Sequence, residues 1–257
     1  MKNRLRTGLA FLLLASMLLA LNSTPAHAGS TPVYLDNYTS SFSNGFSTIV
    51  SAVLNHSADV LVVVFVSSRD CCSLMQVTGV SIGDTVATMV PGSLIRVGAV
   101  CKNADMCQDE LWYAYMTTAG SDVVEVDWAQ RAEWMGIIAA SFLGADPANP
   151  IESVVTNSIP QSNSVSVEVP AGTPHRYIVQ FASFDHFFTV DAYGGSAVIY
   201  PGDLQNLVTT LTSLTDTIVL AVGPGNLGNP ITVTMTNTML WQPFWETIAF
   251  AVRGVGT

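Results

Sequence analysis

Charged side chains are scarce in this sequence of 257 residues, since Asp, Glu, Lys and Arg together make up 11%. Basic residues are the scarcer kind, with 9 Lys and Arg against 19 Asp and Glu and a formal net charge of -10. Such an acidic chain repels nucleic acid and anionic lipid wherever it is not locally basic, so we expect no nucleic-acid partner. A hydrophobic fraction of 49% excludes a disordered chain and predicts a large core.

Motifs that carry chemistry are scarce as well. We identify no nucleophile elbow of a serine hydrolase and no His-Glu-x-x-His zinc motif. The Cys-x-x-Cys pairs of structural zinc sites and the Asp-rich loop of an EF-hand do not occur either. We therefore expect a protein without catalytic activity and without a cofactor.

The N-terminus has the three parts of a secretory signal peptide. Basic residues Lys2, Arg4 and Arg6 come first, followed by an apolar run over residues 8–21 and a small-residue triplet that ends at Ala28. This order predicts a signal peptide over residues 1–28 that is cleaved after Ala28. An uncleaved membrane anchor is the less favoured alternative, because spanning a bilayer takes about 20 apolar residues. The mature chain is predicted to be secreted or held at the cell surface, outside the membrane.

The four cysteines are Cys71, Cys72, Cys101 and Cys107, an even number in a chain predicted to reach an oxidising compartment. Disulfides are therefore expected. Zinc is the alternative, but adjacent cysteines cannot easily both point at one ion. A link between Cys71 and Cys72 requires a strained ring, which favours two links that join the 71/72 pair to the 101/107 pair.

Apolar residues alternate with polar ones in short segments, which is the pattern of β-strands. Ser164–Val169 and residues 231–236 are the clearest cases. Residues 60–66 and 218–222 are continuous apolar runs, as expected for strands covered on both faces. The pattern predicts an all-β fold, an antiparallel two-sheet sandwich of jelly-roll type.

We expect residues 29–54 to be an N-terminal extension or a first strand and residues 55–257 to form the sandwich. Alternating strand directions predict loops over residues 69–76 and 97–110 at the same end of the fold. That placement would bring the two cysteine pairs together, as disulfide geometry requires.

Two segments are weakly repeated along the chain. Residues 134–140 resemble residues 245–251, beginning with Trp134 and Trp245, and residues 64–67 resemble residues 180–183. Either an ancient duplication or the general likeness of core strands explains this. If a duplication occurred, we expect the repeats to be two halves of one sandwich.

Five segments follow one another in a familiar order. They are Ser-Ala-Asp with an apolar strand (57–66), Val-Thr-Gly-Val (77–80), Glu-Leu-Trp-Tyr (110–113), Val-Val-Glu-Val (123–126) and Ser-Phe-Leu-Gly-Ala-Asp-x-x-x-Pro (141–150). In this order the chain resembles, over about residues 55–253, a secreted β-sandwich domain of jelly-roll or immunoglobulin type from uncharacterised microbial cell-surface proteins. The resemblance implies a fold and a location and transfers no catalytic residue. The cysteine-bearing loops depart from the family pattern.

Two groups of residues are candidates for binding. Trp112, Tyr113 and Tyr115 alternate along one segment, so one side of it could present aromatic rings for stacking on sugars, with core packing as the favoured alternative. A second group could supply oxygen ligands to calcium, although a solvated acidic rim is favoured and no metal is expected. This acidic group consists of Asp70, Asp105, Asp109 and Glu110.

The function we expect is that of a secreted or cell-surface structural or adhesive protein, with self-association through residues 31–49 as one option. In that case these residues would add a strand to the sheet of a neighbouring copy. The favoured alternative is that they pair within their own sheet. A carbohydrate-binding module is the second hypothesis, with surface glycans as partners. An enzyme acting on extracellular polysaccharide is the third, and it would require a cleft with two facing carboxylates.

Overall fold

The computed structural model describes residues 32–44, 47–70, 75–101, 105–132, 134–160, 162–173, 176–185, 199–200, 206–212, 216–224, 229–237 and 244–255. The predicted signal peptide lies outside these residues. Every regular element within them is a β-strand, so the all-β prediction is confirmed. No helix in the described part is long and apolar enough to cross a bilayer.

Eighteen strands make up the described chain. They are β1 (Tyr34–Asn44), β2 (Ile49–His56), β3 (Val60–Asp70), β4 (Val77–Ile82), β5 (Thr85–Val86), β6 (Thr88–Met89), β7 (Ile95–Cys101), β8 (Asp105–Met116), β9 (Gly120–Trp128), β10 (Trp134–Leu143), β11 (Ile151–Ile159), β12 (Ser164–Val169), β13 (Tyr177–Asp185), β14 (Ile199–Tyr200), β15 (Asn206–Thr212), β16 (Asp216–Pro224), β17 (Ile231–Asn237) and β18 (Phe244–Val252).

These strands form four antiparallel sheets in the described part of the chain. Sheet 1 has the order β2-β9-β4-β5, and sheet 2 has the order β1-β10-β3-β8-β6, with β7 also paired to β8. Sheet 3 has the order β11-β18-β13-β16-β15, and sheet 4 has the order β12-β17-β14. Each residue of the central strand β3 from Val60 to Arg69 has a partner in β10 and in β8.

The sheets are stacked in four layers by three apolar cores. Sheets 1 and 2 share a core that includes Val124 of β9 and Val64 of β3. Sheets 2 and 3 share a core that includes Phe65 of β3 and Phe181 of β13. Sheets 3 and 4 share a core that includes Val233 of β17. Two of the four sheets are therefore covered on both faces.

The continuous apolar run in β3 is explained by this layering. Side chains of a strand alternate between its two faces. Val62 and Val64 enter the core with sheet 1, whereas Val63 and Phe65 enter the core with sheet 3. The prediction that residues 60–66 and 218–222 are covered on both faces is confirmed, since β16 divides its side chains between the two cores of sheet 3 in the same way.

The two halves of the chain repeat the same strand order. Sheet 2 begins β1-β10-β3-β8 and sheet 3 begins β11-β18-β13-β16, so each strand is matched by a counterpart in the second half. Sheet 1 begins β2-β9-β4 and sheet 4 reads β12-β17-β14, which extends the match to the outer layers. The structure thus favours duplication over chance likeness of core strands.

Strand register fixes which residues correspond. Phe65 pairs with Ile138 in sheet 2, and Phe181 pairs with Ile248 in sheet 3. Counterparts therefore lie 116 residues apart between β3 and β13 and 110 apart between β10 and β18. The likeness of residues 64–67 to residues 180–183 matches this register.

The second sequence likeness is out of register by one residue. With counterparts 110 apart, Trp134 corresponds to Phe244 rather than to Trp245. Trp134 lies in the core between sheets 2 and 3, whereas Trp245 lies in the core between sheets 3 and 4. A shift of one residue in a strand moves a side chain to the opposite face, so the two tryptophans are not structural equivalents.

The structure differs from two expectations about organisation and agrees with the favoured alternative for the N-terminal strands. Each half contributes its own pair of sheets, so the described chain has four layers where two were expected, because two continuous apolar strands each need cover on both faces. The predicted loop over residues 97–110 is mostly the β7–β8 hairpin, whose polar Arg96 and Gln108 hydrogen bond across the strands at 3.0 Å. Residues 34–56 form β1 and β2, which pair with β10 and β9 of the same chain.

Candidate functional site

The aromatic residues proposed for sugar stacking do not form an open platform. Trp112 is partly buried and packs against the core between sheets 1 and 2. Tyr113 and Tyr115 lie on the opposite face, partly buried against the core between sheets 2 and 3. The Tyr115 hydroxyl also donates to the Asp59 carbonyl at 3.1 Å. Core packing, the favoured alternative, accounts for all three side chains.

Two of the acidic residues proposed for calcium, Asp109 and Glu110, lie on opposite faces of β8. Asp109 faces sheet 3, where it is fully buried and accepts a hydrogen bond from the Ser183 hydroxyl. Its carboxylate therefore does not reach a metal ion at the surface. Glu110, the next residue along β8, points to the other face and accepts from Gln108 at 3.1 Å. The described side chains form no cluster of three His, Cys, Asp or Glu residues able to hold a metal ion. Asp70 ends β3, and Asp105 begins β8.

Two of the four cysteines, Cys101 and Cys107, belong to the β7–β8 hairpin of sheet 2. Cys107 is buried in β8 against Val97 and Phe244. Cys101 ends β7, and Cys71 and Cys72 fall outside the described residues. Because Arg69 is the partner of Cys107 in the β3–β8 ladder, the chain leaves β3 close to Cys107 just before it reaches Cys71.

A Gly-x-Ser-x-Gly spacing does occur at residues 79–83. Such an elbow requires the serine at a sharp turn from a strand into a helix. Ser81 lies inside β4 instead, paired with Val86 of β5 and Glu125 of β9. The spacing therefore carries no catalytic geometry.

The free edge of β1 is the most distinctive surface that the structure shows. In the described chain β1 stands at the end of sheet 2, with β10 as its hydrogen-bonded neighbour. An edge strand presents unpaired backbone N–H and C=O groups to any strand that approaches it. At 11 residues, β1 is long for an edge strand.

Aromatic side chains along this edge are exposed. Tyr38 is 43% exposed and Phe42 is 40% exposed, and their ladder partners Ala140 and Gly136 place them on the face of β1 turned toward sheet 3. Tyr34 is 50% exposed, and its ladder partner Leu143 places it on the opposite face of β1, beyond a β-bulge. These are large apolar surfaces for a strand that ends a sheet, and natural proteins usually protect such strands with charge.

The one charged residue of β1 does not provide that protection. Asp36 lies at the bulge and accepts hydrogen bonds from the Ser57 backbone N–H and hydroxyl, both at 2.9 Å, and from the Ser141 hydroxyl at 3.0 Å. Burial raises the pKa of Asp36, but these hydrogen bonds and the nearby His56 outweigh it, so the pKa is lowered overall. The carboxylate therefore fastens β1 to its own sheet and leaves the edge uncharged.

The second half contains the counterpart of this fastening. Glu152 lies at the bulge of β11, 116 residues after Asp36, and accepts from the Thr173 backbone N–H at 3.0 Å and from its hydroxyl at 2.9 Å. Thr173 lies 116 residues after Ser57. The two edges differ in their side chains, because β11 carries no aromatic residue and is mostly half-buried. The exposed aromatic edge is thus a property of the first half.

The sequence predicts a possible added strand over residues 31–49 but identifies no contact residues there. The alternation of Tyr38, Ser40 and Phe42 was the available signal. Comparison with known proteins adds no assignment: no family model, no curated protein and no solved structure matches this chain.

Proposed function

We propose that this chain is an exported protein without catalytic activity that works by surface contact, as a structural or adhesive subunit of the cell surface. Its N-terminal pattern supports export, and the two stacked sheets of each half fit the sandwich class that the sequence predicted. The mature chain is secreted or cell-surface bound and meets copies of itself through the free edge of β1.

The single observation that carries this proposal is the uncharged, aromatic edge of β1. Backbone hydrogen bonds to a second strand would give affinity, and Tyr38 and Phe42 would add apolar contact area. The two residues lie four positions apart, about 13 Å along the strand, so a facing strand can contact both. The occupant we infer is β1 of a second copy, which offers the same edge.

The acid pair that is buried between sheets 2 and 3 does not supply the site that the enzyme hypothesis requires. Glycosidases need two carboxyl groups that face each other across a substrate cleft. A facing pair does exist, Asp109 and Glu246, but both side chains are 0% exposed. A polysaccharide cannot reach them, which favours a role in packing rather than in hydrolysis.

Disulfides at the cysteine end belong to the same proposal. Cys107 is fully buried against Val97 and Phe244 at one end of β8, which supports a structural role for it. We infer that Cys71 and Cys72 are joined to Cys101 and Cys107. Each link stabilises a small exported protein by about 2 to 4 kcal/mol, mainly by restricting the unfolded chain.

Glycan binding remains the second candidate, at a different place from the one the sequence suggested. Exposed aromatic rings can stack on sugar rings, and Tyr34, Tyr38 and Phe42 are exposed whereas Trp112 and Tyr113 are half-buried. A Tyr38→Ala change would weaken glycan binding on an array if this candidate holds. Self-association that persists without any glycan favours the first candidate.

Sedimentation of the mature chain, residues 29–257, tests the proposal. We expect the mean mass to rise with protein concentration, and we expect Phe42→Lys to keep the chain monomeric because an inserted charge blocks strand addition. Val86→Lys is the matched control, since Val86 is a 79% exposed apolar residue on another edge strand. A wild-type chain that stays monomeric at every concentration would overturn the proposal.

A further inference from the structure

A cluster of acidic and hydroxyl side chains is buried between sheets 2 and 3. Asp109 of β8 and Glu246 of β18 are 0% exposed, and Ser183 of β13 lies between them. The Ser183 hydroxyl oxygen is 2.6 Å from Asp109 Oδ2 and 3.4 Å from Glu246 Oε2. One hydroxyl has one proton to donate, and the shorter distance assigns it to Asp109.

The cluster is short of positive charge. Arg69 of β3, which is nearly buried, acts on both carboxyl groups, and Ser67 of the same strand face is the ladder partner of Asp109. Arg69 is the cation that acts on Asp109 and Glu246, and the charge of Glu110, on the opposite face of β8, also interacts with Asp109. Two carboxylates cannot both stay ionised in a dry site that holds one positive charge, so one of them keeps its proton.

The second acid of β8 belongs to a different environment. Glu110 points to the opposite face of the strand, where Gln108 donates to it and Arg96 bonds Gln108. Burial raises the pKa of Glu110 to about 7, and the charge of Asp109 adds to this rise. Hydrogen bonds from Gln108 and Trp112 and the charge of Arg96 act in the opposite direction. Glu110 therefore titrates near the cluster without being part of it.

The duplicated half shows that the fold does not need acids at these positions. Glu246 corresponds to Gly136 in β10, and Asp109 corresponds to Ile218 in β16, since Asp109 pairs with Ser67 and Ile218 pairs with its counterpart Ser183. A Cβ on Gly136 would lie 3.2 Å from Ile218 Cδ1, so the counterparts also face each other. Between sheets 2 and 3, Gly136 and Ile218 thus make an apolar contact at the position that corresponds to the Asp109 and Glu246 carboxyl groups.

We propose that Asp109 and Glu246 form a pH-dependent lock between the two halves of the chain, closed while they share a proton and weakened when both ionise. The lock is independent of the β1 edge and goes beyond the surface-contact function. It gives the exported chain its greatest stability in an acidic medium and loosens the contact between sheets 2 and 3 as the medium becomes alkaline.

The electrostatics of the cluster give the direction of the switch. Burial raises the pKa of Glu246 well above its ordinary value, and the charge of Asp109 adds to this, while Arg69 opposes it. Burial also raises the pKa of Asp109, against the hydrogen bond from Ser183 and the charge of Arg69. A carboxyl group whose pKa is raised by folding contributes stability below its unfolded pKa and loses that contribution as the pH rises through the folded pKa.

Denaturant unfolding of the full mature chain from about pH 5 to about pH 9 tests the lock. In the wild type we expect the unfolding equilibrium constant to rise with pH, by about tenfold per pH unit for each proton that the folded state holds and the unfolded state has lost. Glu246→Gln keeps the shape and the donor of a protonated Glu246 and should abolish the part of the rise that Glu246 causes.

Glu110→Gln is the matched control, since Glu110 is a buried acid on the same strand as Asp109 but faces away from the cluster. This variant should keep the rise that Glu246 causes. The proposal fails if Glu246→Gln unfolds with the same pH dependence as the wild type. If the variant does not fold, carbon NMR of labelled wild-type carboxyl groups decides, and ordinary titration of both Asp109 and Glu246 would also overturn the lock.

Discussion

Phe65 and Phe181 stack on each other between sheets 2 and 3, with ring centroids 5.0 Å apart and an interplanar angle of 4°. They are counterparts in the two halves, since each pairs with the equivalent isoleucine of the neighbouring strand. Contact between a residue and its own counterpart is what a two-fold interface produces on its axis. The two halves therefore pack together in the way that two subunits of a symmetric dimer do.

Other contacts agree with this arrangement. Strand β10 contacts β16, and β8 contacts β18. Because β10 corresponds to β18 and β8 corresponds to β16, these two contacts are equivalent in the two halves. The edge strand β1 contacts β15, while its counterpart β11 contacts β7. A fused pair of similar units accounts for four layers in one chain better than one enlarged sandwich does.

Removing either ring of the stacked pair should destabilise the whole chain. We expect Phe65→Ala and Phe181→Ala each to lower the free energy of unfolding by about 3 to 5 kcal/mol, because both rings are fully buried and leave a cavity. The double variant should cost less than the two single costs combined, since the residues touch. Denaturant unfolding measures all three variants, and a cost below about 1 kcal/mol would contradict the shared core.

The fastening of β1 should depend on the Asp36 carboxylate. Asp36→Ala leaves the Ser57 N–H without its acceptor, and we expect a loss of about 1 to 2 kcal/mol. Because the pKa of Asp36 is lowered in the folded chain, this stability is present above the unfolded pKa and is lost as the pH falls through the folded pKa. Asp84→Ala, at an exposed turn residue, is the control and should change little.

A side chain at Gly136 should be costly for steric reasons. A Cβ there would lie 2.5 Å from Trp134 Cη2 and 3.2 Å from Ile218 Cδ1, both in the core between sheets 2 and 3. We expect Gly136→Ala to lower the unfolding free energy by about 1 to 3 kcal/mol. At Gly79, another strand glycine, the nearest atom to a Cβ is 3.9 Å away, so Gly79→Ala should be tolerated. Equal thermal stability of the two variants would contradict the packing.

Much of the fold could be predicted from the periodicity of the strands. Ser164–Val169 alternates, and its valines face one core, as that pattern requires. The β7–β8 hairpin was missed because polar side chains such as Gln108 are buried there and satisfy one another, which hides the apolar alternation. The number of layers was missed because two similar halves look like one large set of strands until their register is known.

The candidate site depended on information that no single segment contains. Whether Tyr38 is exposed depends on which strand ends sheet 2, and that follows from long-range pairing of β1 with β10. The same holds for Asp109 and Glu246, which lie far apart in sequence and meet only because sheets 2 and 3 stack. Sequence could mark the residue types but not the edges and faces on which they lie.

Backbone hydrogen exchange along β1 at low and high protein concentration tests self-association most directly. If a second copy pairs with the free edge, the outward amides of Tyr34–Asn44 should exchange more slowly at high concentration, while amides already paired to β10 keep their rates. The Phe42→Lys variant should show no such change. Concentration-independent exchange at every β1 amide of the wild type would contradict the account.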